Sequence, residues 1–454
     1  MHTIAAIATP HAVGGISVIR LSGDKAIEIA QKIFHPLSGK PLQKMDGYRA
    51  AYGTINNQAG EIDDGVALVF HAPKSYTGED VVEISCHGGL YISRQVLRAA
   101  LEAGAKMAEN GEFTKRAFLN KKMTLTQAES VINLINAQSE QAAKSALTTM
   151  GGALYKEIRR ICDRLITIAG HLDAWVDYPE EEIEEIEADS LLKQLKESHQ
   201  ALVGLLSRYD TGRIYQQGVE TAIVGKPNVG KSTLMNLLAG YQKSIVTEIA
   251  GTTRDVVEEA VDIGGGIILR LADTAGIRET EDLVERIGVD RAKERIQSAS
   301  LVLALFDSSE PVEEQDASFI EQLSGFPVIA VVNKSDLPAR IDLDLLKKKF
   351  RWVVSISAKQ NEGIEQLKES IFDLLQMEEI DGNAPMLANE RQRVCAQNAE
   401  NYLGEAIDAL KVGFTLDAVT VSVESAIQEL LELTGERVTE AVVDEVFSHF
   451  CVGK

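Results

Sequence analysis

The stretch Gly225-Lys226-Pro227-Asn228-Val229-Gly230-Lys231-Ser232 decides the fold of the region around it. It follows the apolar run Thr221 to Val224 and precedes the helical run Leu234 to Leu238, so it reads as strand, glycine-rich turn and helix start. The pattern G-x-x-x-x-G-K-[ST] suits a phosphate chain, because glycines let backbone N–H groups curl around the anion at a helix N-terminus. Lys231 then reaches the β- and γ-phosphates and the Ser232 hydroxyl can ligate magnesium, with Val229, Gly230 and Thr233 in the same cradle.

Working outward, three more motifs follow strands in the same order along the chain. Asp273-Thr274-Ala275-Gly276 follows the strand Ile267 to Ala272, placing a carboxylate near the magnesium shell and the Gly276 N–H near the γ-phosphate. Asn333-Lys334-Ser335-Asp336 follows Val328 to Val332, and the Asp336 carboxylate can accept from N1 and the exocyclic amine of guanine, a donor pair that adenine lacks. Ser357-Ala358-Lys359 fits a loop that contacts the guanine O6. The runs Thr221 to Val224, Leu301 to Phe306 and Val328 to Val332 are continuously apolar, as parallel strands covered on both faces should be. A doubly wound Ras-like P-loop sheet that binds and hydrolyses a guanine nucleotide at its carboxyl edge is the implied reading.

Gly251-Thr252-Thr253-Arg254-Asp255 lies where a switch loop belongs, with Thr253 as second magnesium ligand. Ile277 follows Gly276, where a Ras-like enzyme carries the glutamine that orients water, and an aliphatic chain cannot do that. Catalysis must then borrow charge from elsewhere. The neutral amide oxygen of Asn228 suits a weakly hydrated monovalent cation such as potassium, acting where other enzymes use an arginine finger.

Composition bounds the rest. A chain of 454 residues exceeds one ordinary core, so two or three domains are expected. The absence of a long apolar run or a leader-like start points to a soluble, cytoplasmic protein without a membrane role. Cys86, Cys162, Cys395 and Cys451 are too scattered for a metal knuckle or a disulfide scaffold, so free thiols are expected. The net charge of −22 shows no basic stripe; an RNA substrate would need a second protein, or a local patch that the total conceals.

The segmentation follows the change of period. Residues 1–119 alternate strands (Gly15 to Leu21, Gly65 to Phe70) with helix (Tyr91 to Glu102) and read as a small α/β domain. Residues 120–215 are helical, with Ile132, Ile135, Leu147, Leu154, Ile158, Ile161 and Leu165 at helical spacing, broken by the acidic run from Tyr178 to Glu185 with Pro179 as boundary. Residues 216–378 form the nucleotide domain, and 379–454 return to helix with Thr434-Gly435 as a stop. One helical domain interrupted by the nucleotide domain is the natural reading.

Taken with Thr77-Gly78-Glu79-Asp80, His87-Gly88-Gly89, Gly111-Glu112-Phe113, Arg116-Ala117-Phe118-Leu119-Asn120 and the terminal Cys451-Val452-Gly453-Lys454, the chain resembles the MnmE (TrmE) family of tRNA-modification GTPases from end to end. Val452 in place of isoleucine and the Gly264-Gly265-Gly266 turn are small departures. The resemblance implies a homodimer whose N-terminal domain binds 5-formyl- or 5,10-methylene-tetrahydrofolate. It also implies a flavoprotein partner, MnmG, which alone carries FAD, and construction of an aminomethyl-type group on C5 of the tRNA wobble uridine. By the same resemblance, Arg20, Glu83, Lys122 and Lys454 contact folate. Asn228, Thr247, Ile249 and Thr252 contact potassium, Ser232 and Thr253 magnesium, and Glu248, Ala250 and Gly251 share the nucleotide loop. Glu285 orients water and Cys451 is the catalytic candidate at the C-terminus.

Read from residues alone, alternatives stay open. Arg20 and Glu83 can form a structural ion pair, Lys122 and Glu285 can be solvated charges, His87 is structural or folate-lining, and Cys451 is an inert thiol or, less aptly before Val-Gly-Lys, a prenylation site. The rival functions are a regulatory GTPase of the ribosome-assembly kind and a self-sufficient folate enzyme regulated by GTP.

Overall fold

The computed structural model describes residues 2–177, 188–241, 258–272, 297, 299–375, 384–413 and 415–454. They fall into two compact units, one of Met1–Ile132, Thr149–Gly204 and Glu390–Lys454, the other of Asn133–Thr148 and Leu205–Asn389.

The first unit opens with a seven-stranded sheet of β1 (Ile4–Ile7), β2 (Ile16–Ser22), β3 (Phe34–Pro36), β4 (Arg49–Asn57), β5 (Gly60–Phe70), β6 (Val81–His87) and β7 (Lys106–Met107), in the order β3-β4-β5-β6-β2-β1-β7. Pairing is antiparallel except between β1 and β7. Ile19, Leu21, Val82 and Ile84 point to one face, where α1 (Ala26–Ile33) and α2 (Leu90–Glu102) cover them with Ile29, Ile33, Val96 and Ala100. The period of two therefore sends Arg20 and Glu83, register partners on β2 and β6, to the other face. Strand β5 begins five residues before the expected Gly65, because Glu61, Asp63 and Asp64 hide its start from an apolar count while the backbone still pairs with β4.

After α3 (Glu112–Leu119), α4 (Leu125–Ile135), α5 (Glu140–Met150), α6 (Ala153–Asp177) and α7 (Ala188–Ser207) carry the helical part of the chain, and α8 (Tyr209–Gln217) leads into the second sheet. On α6 the residues Leu154, Ile158, Ile161, Leu165, Ile168 and Leu172 are buried as one stripe, as the spacing predicts. Ile135 and Leu147 are instead about half exposed. On α5 the buried positions are Ala142, Ser145, Ala146 and Thr149, so small side chains make the seam and Leu147 lies beside it.

The second sheet is β8 (Val219–Gly225), β9 (Glu258–Asp262), β10 (Ile268–Ala272), β11 (Leu301–Asp307), β12 (Val328–Asn333) and β13 (Trp352–Ser355), ordered β13-β12-β11-β8-β10-β9 and parallel except for β9. The hairpin β9–β10 turns through Gly264, Gly265 and Gly266, all at positive φ. Alternate residues go to opposite cores. Ile223, Leu303, Leu305 and Val331 meet α9 (Lys231–Tyr241) and α12 (Ile364–Leu374), while Ala222, Val224, Phe306 and Val332 meet α10 (Glu314–Gln322) and α11 (Leu343–Lys349). This is a doubly wound sheet with helices on both faces.

Three helices complete the first unit: α13 (Glu390–Val412), α14 (Leu416–Thr434) and α15 (Glu440–Ser448). Helix α14 packs against α6 and α13, and Gly435 at φ +86° ends it where the Thr434-Gly435 pair predicts. The Arg391 guanidinium grips both oxygens of Glu129 at 2.9 and 3.0 Å and donates to the carbonyls of Glu432 and Leu433, while Gln392 Nε2 donates to Glu129 at 2.5 Å. A buried, fully partnered ion pair thus joins helices on the two sides of the inserted sheet in sequence.

Candidate functional site

The phosphate loop runs from the end of β8 into α9. Asn228 takes φ +62° and Gly230 φ +98°, which curls the chain so that the first amides of α9, which have no partner within the helix, face the loop's hollow. A Cβ on Gly230 would lie 2.2 Å from Asn333 Nδ2, so only glycine fits. Val229 is buried, whereas Asn228, Ser232 and Thr233 are exposed, their polar side chains open to a ligand. The Lys231 ammonium donates to the carbonyls of Gly225 and Lys226 at 2.6 and 2.7 Å, and burial pushes its pKa below the ordinary lysine value.

The base side is built around Asn333. Its Nδ2 donates to Val229 O at 2.8 Å and its Oδ1 accepts from Ala358 N at 3.0 Å, tying the phosphate loop to the Ser357-Ala358-Lys359 loop. Ser357 Oγ donates to Asp336 Oδ1 at 2.6 Å, holding one oxygen of an exposed carboxylate. Lys359 is exposed. Lys334 stands at φ +63°, its ammonium 2.5 Å from Asp307 Oδ2. Burial raises the Asp307 carboxyl, but hydrogen bonds from Lys334 and Ser309 outweigh it and hold the pKa below the usual range. Asp307 was not expected. Its signal was a lone acid closing an apolar parallel strand, at the edge where such sheets bind ligands. Thr247, Glu248, Ile249, Ala250, Gly251, Thr252, Thr253, Asp273, Thr274, Ala275, Gly276 and Glu285, with Ile277 and the acidic run, lie outside the described residues.

In the first unit a second constellation forms. Arg20 Nε donates to Glu83 Oε1 at 2.8 Å and its Nη1 to Gly453 O at 3.2 Å, while the guanidinium lies 5.7 and 5.6 Å from the rings of Tyr76 and Phe113. The segment 451–454 is laced to the loop before α3 by a Val452–Asn110 bridge and to the first turn of α3 by Phe113 N donating to Lys454 O at 3.2 Å. Gly453, at φ +98°, has no room for a Cβ, which would meet Ile7 O at 2.5 Å. Burial first, then Arg20, push the Lys454 ammonium below the ordinary lysine value, with Glu83 opposing. The structure therefore brings Arg20, Glu83 and Lys454 together. Lys122 is directed elsewhere, its ammonium 2.9 Å from Pro73 O, and Cys451 is exposed. His87 pairs with Asp63, Nδ1 to Oδ1 at 2.7 Å, a bond that raises its pKa.

The N-terminal motifs form the scaffold of this constellation. Arg116, almost wholly buried, is paired with Glu79 and Glu112 at 3.0 and 2.7 Å and donates to His2 O at 2.9 Å. Asn120 Nδ2 donates to Thr77 O at 2.8 Å.

A doubly wound sheet whose strand ends gather a glycine-rich G-x-x-x-x-G-K-S loop, its lysine and an Asn-Lys-Ser-Asp motif with an exposed aspartate defines a GTP hydrolase of the P-loop class. Residues 125–451 match the family model described as "MnmE helical domain" and residues 3–122 that described as "GTP-binding protein TrmE N-terminus". The tRNA modification GTPases MnmE of Thermoanaerobacter sp. (strain X514) and Geobacillus kaustophilus (strain HTA426) are 39% and 41% identical over 457 and 458 residues, covering 100% of this chain and 99% of each relative; that of Bacillus velezensis is 41% identical over 460 residues, with both chains covered fully. The chain belongs to the MnmE family of tRNA modification GTPases. Among the described residues no helix is long and apolar enough to cross a membrane.

Proposed function

We propose that the chain is a potassium-dependent GTPase that acts with an MnmG-like flavoprotein on tRNA, installing an aminomethyl-type group on C5 of the wobble uridine from a tetrahydrofolate one-carbon unit. It works as a cytoplasmic homodimer, with a folate-binding domain at 1–119, a helical domain at 120–215 and 379–454, and the GTPase domain at 216–378. The observation that carries this reading is the meeting of Arg20, Glu83 and Lys454 beside the rings of Tyr76 and Phe113. A nucleotide switch alone has no use for it. Two cations there face one carboxylate, so a ligand bearing carboxylates would complete the charge, Glu83 can accept from ring N–H donors, and the aromatic faces suit a flat heterocycle.

In the GTPase domain, the α9 amides and Lys231 hold the β- and γ-phosphates. Lys231 leaves the Gly225 and Lys226 carbonyls to do so, and its depressed pKa rises again beside the anion. Asp336, held by Ser357, accepts from guanine N1 and its amine. Because Asn333 already occupies the Ala358 N–H, the Lys359 amide is the donor left in that loop for O6. The exposed hydroxyl of Ser232 fits magnesium and the exposed amide of Asn228 fits potassium. Magnesium, when bound, would neutralise phosphate charge between the β and γ groups. Glu285 orients the attacking water, and Thr253 with Thr247, Ile249 and Thr252 completes the cation shells. Nucleoside analysis of tRNA from cells lacking the gene should show wobble uridine unmodified at C5; retention of the full modification refutes the reading.

A further inference from the structure

We infer that the run Lys347, Lys348, Lys349 and Arg351, between the end of α11 and the start of β13, is a contact surface for the phosphate backbone of RNA. The inference rests on the reading of tRNA as substrate and names a surface for it. In a chain of net charge −22, four cations occupy five consecutive positions, and all four are exposed. Their orientation is fixed from beneath, since Leu346 and Phe350, one helical turn apart, are buried in the core under β11 and β12.

In the same unit Lys226 is neutralised by Glu313 and Asp316, Lys334 by Asp307 and Lys368 by Glu365, whereas the run at 347–351 gathers its cations side by side. None of these four forms an ion pair with a described residue. The dipole of α11 does not account for them, because a helix C-terminus carries only about half a negative charge and Arg351 lies beyond the helix. Adjacent like charges repel, and an external polyanion removes that cost.

Beside the charges is a flat surface. The Arg351 guanidinium lies 4.7 Å from the centre of the Trp352 ring, whose Nε1 is anchored to Asp373 Oδ2 at 2.7 Å. A hollow of about 250 Å³ opens there, lined by Ser324, Phe326, Lys349, Arg351 and Trp352, with Glu321 on its wall. Cations tracking a backbone next to an aromatic and guanidinium plane is the arrangement that binds RNA with unstacked bases, and an acidic peptide would leave the plane unused.

The test uses the full chain and a fluorescein-labelled tRNA transcript, followed by anisotropy between 50 and 200 mM salt. The quadruple variant K347Q/K348Q/K349Q/R351Q should bind at least tenfold more weakly at low salt and flatten the slope of log affinity against log salt by about 3, since each phosphate contact on a single strand contributes about 0.7. GTP hydrolysis and the thermal midpoint should not move, which separates this from misfolding. An unchanged slope overturns the surface, as does loss of binding only together with loss of GTP hydrolysis. A wild-type chain that binds no transcript, while wobble uridine still goes unmodified in its absence, removes the surface and leaves the function standing.

Discussion

Ser357 Oγ holds one oxygen of Asp336, the carboxylate proposed to read guanine, at 2.6 Å. Asp336→Asn should therefore cost about 2–3 kcal/mol of GDP affinity in calorimetry, the worth of charge-assisted hydrogen bonds, and relax the preference for guanine over xanthine. An unaltered preference would refute the assignment. The cysteines allow a separate test. Cys86, Cys162 and Cys395 are buried, and burial pushes each thiol up to about 11, whereas Cys451 is exposed. At pH 7.5 a single thiol should react rapidly with Ellman's reagent, and C451A should abolish that phase; two or more fast thiols would contradict the packing. Above about pH 8.5, where thiols in the unfolded chain ionise and the buried ones do not, the unfolded state binds fewer protons, so these groups lower stability as pH rises toward 11. At this scale the sequence named the nucleotide-site residues by type but not their bonding. Nothing in Asn333 announces that it bridges two loops 104 residues from Val229, because long-range partners are set by the sheet order.

Among elements, the Arg391–Glu129 pair is the informative contact. Removing one partner strands a charge away from water, so R391A should destabilise the first unit by about 3–5 kcal/mol in urea unfolding, and E129L added to R391A should recover part of the loss. Equal stability of R391A and wild type would show the pair to be ornamental. The turn into α9 is equally exacting. G230A places a methyl 2.2 Å from Asn333 Nδ2 at φ +98°, and should abolish nucleotide binding while leaving the circular dichroism of the sheets intact. Periodicity made the α6 stripe and the parallel strands legible, since burial on one or both faces leaves a simple pattern. It was silent on the start of β5, where charged residues pair only through their backbone, and on which face of α5 is buried, because the seam of α5 is made of alanine, serine and threonine.

For the whole molecule, the order of motifs along the chain was readable because each follows a strand, and parallel topology delivers them to one edge. The constellation of Arg20 and Glu83 with Lys454 was not readable from spacing, since more than 430 residues separate its ends; only the family resemblance pointed there. The cation dependence is tested on the intact protein. Sodium in place of potassium should slow GTP hydrolysis by at least tenfold, and N228A should erase the difference; equal rates in the two salts would reject the potassium reading. E285A should depress kcat with GTP affinity nearly unchanged, because placing water stabilises the transition state and scarcely the bound ground state.

The Arg391–Glu129 clasp also sets a timetable for synthesis. Glu129 and the apolar stripe of α6 leave the ribosome early, but the helices that cover them begin at Glu390, roughly 210 residues after α6 ends at Asp177. At 5–20 residues per second that interval is roughly 10–40 s. For that time a nascent bundle carries a bare greasy seam and a lone carboxylate awaiting its guanidinium, which makes the half-built chain a natural client for chaperones and slow elongation a hazard to its yield.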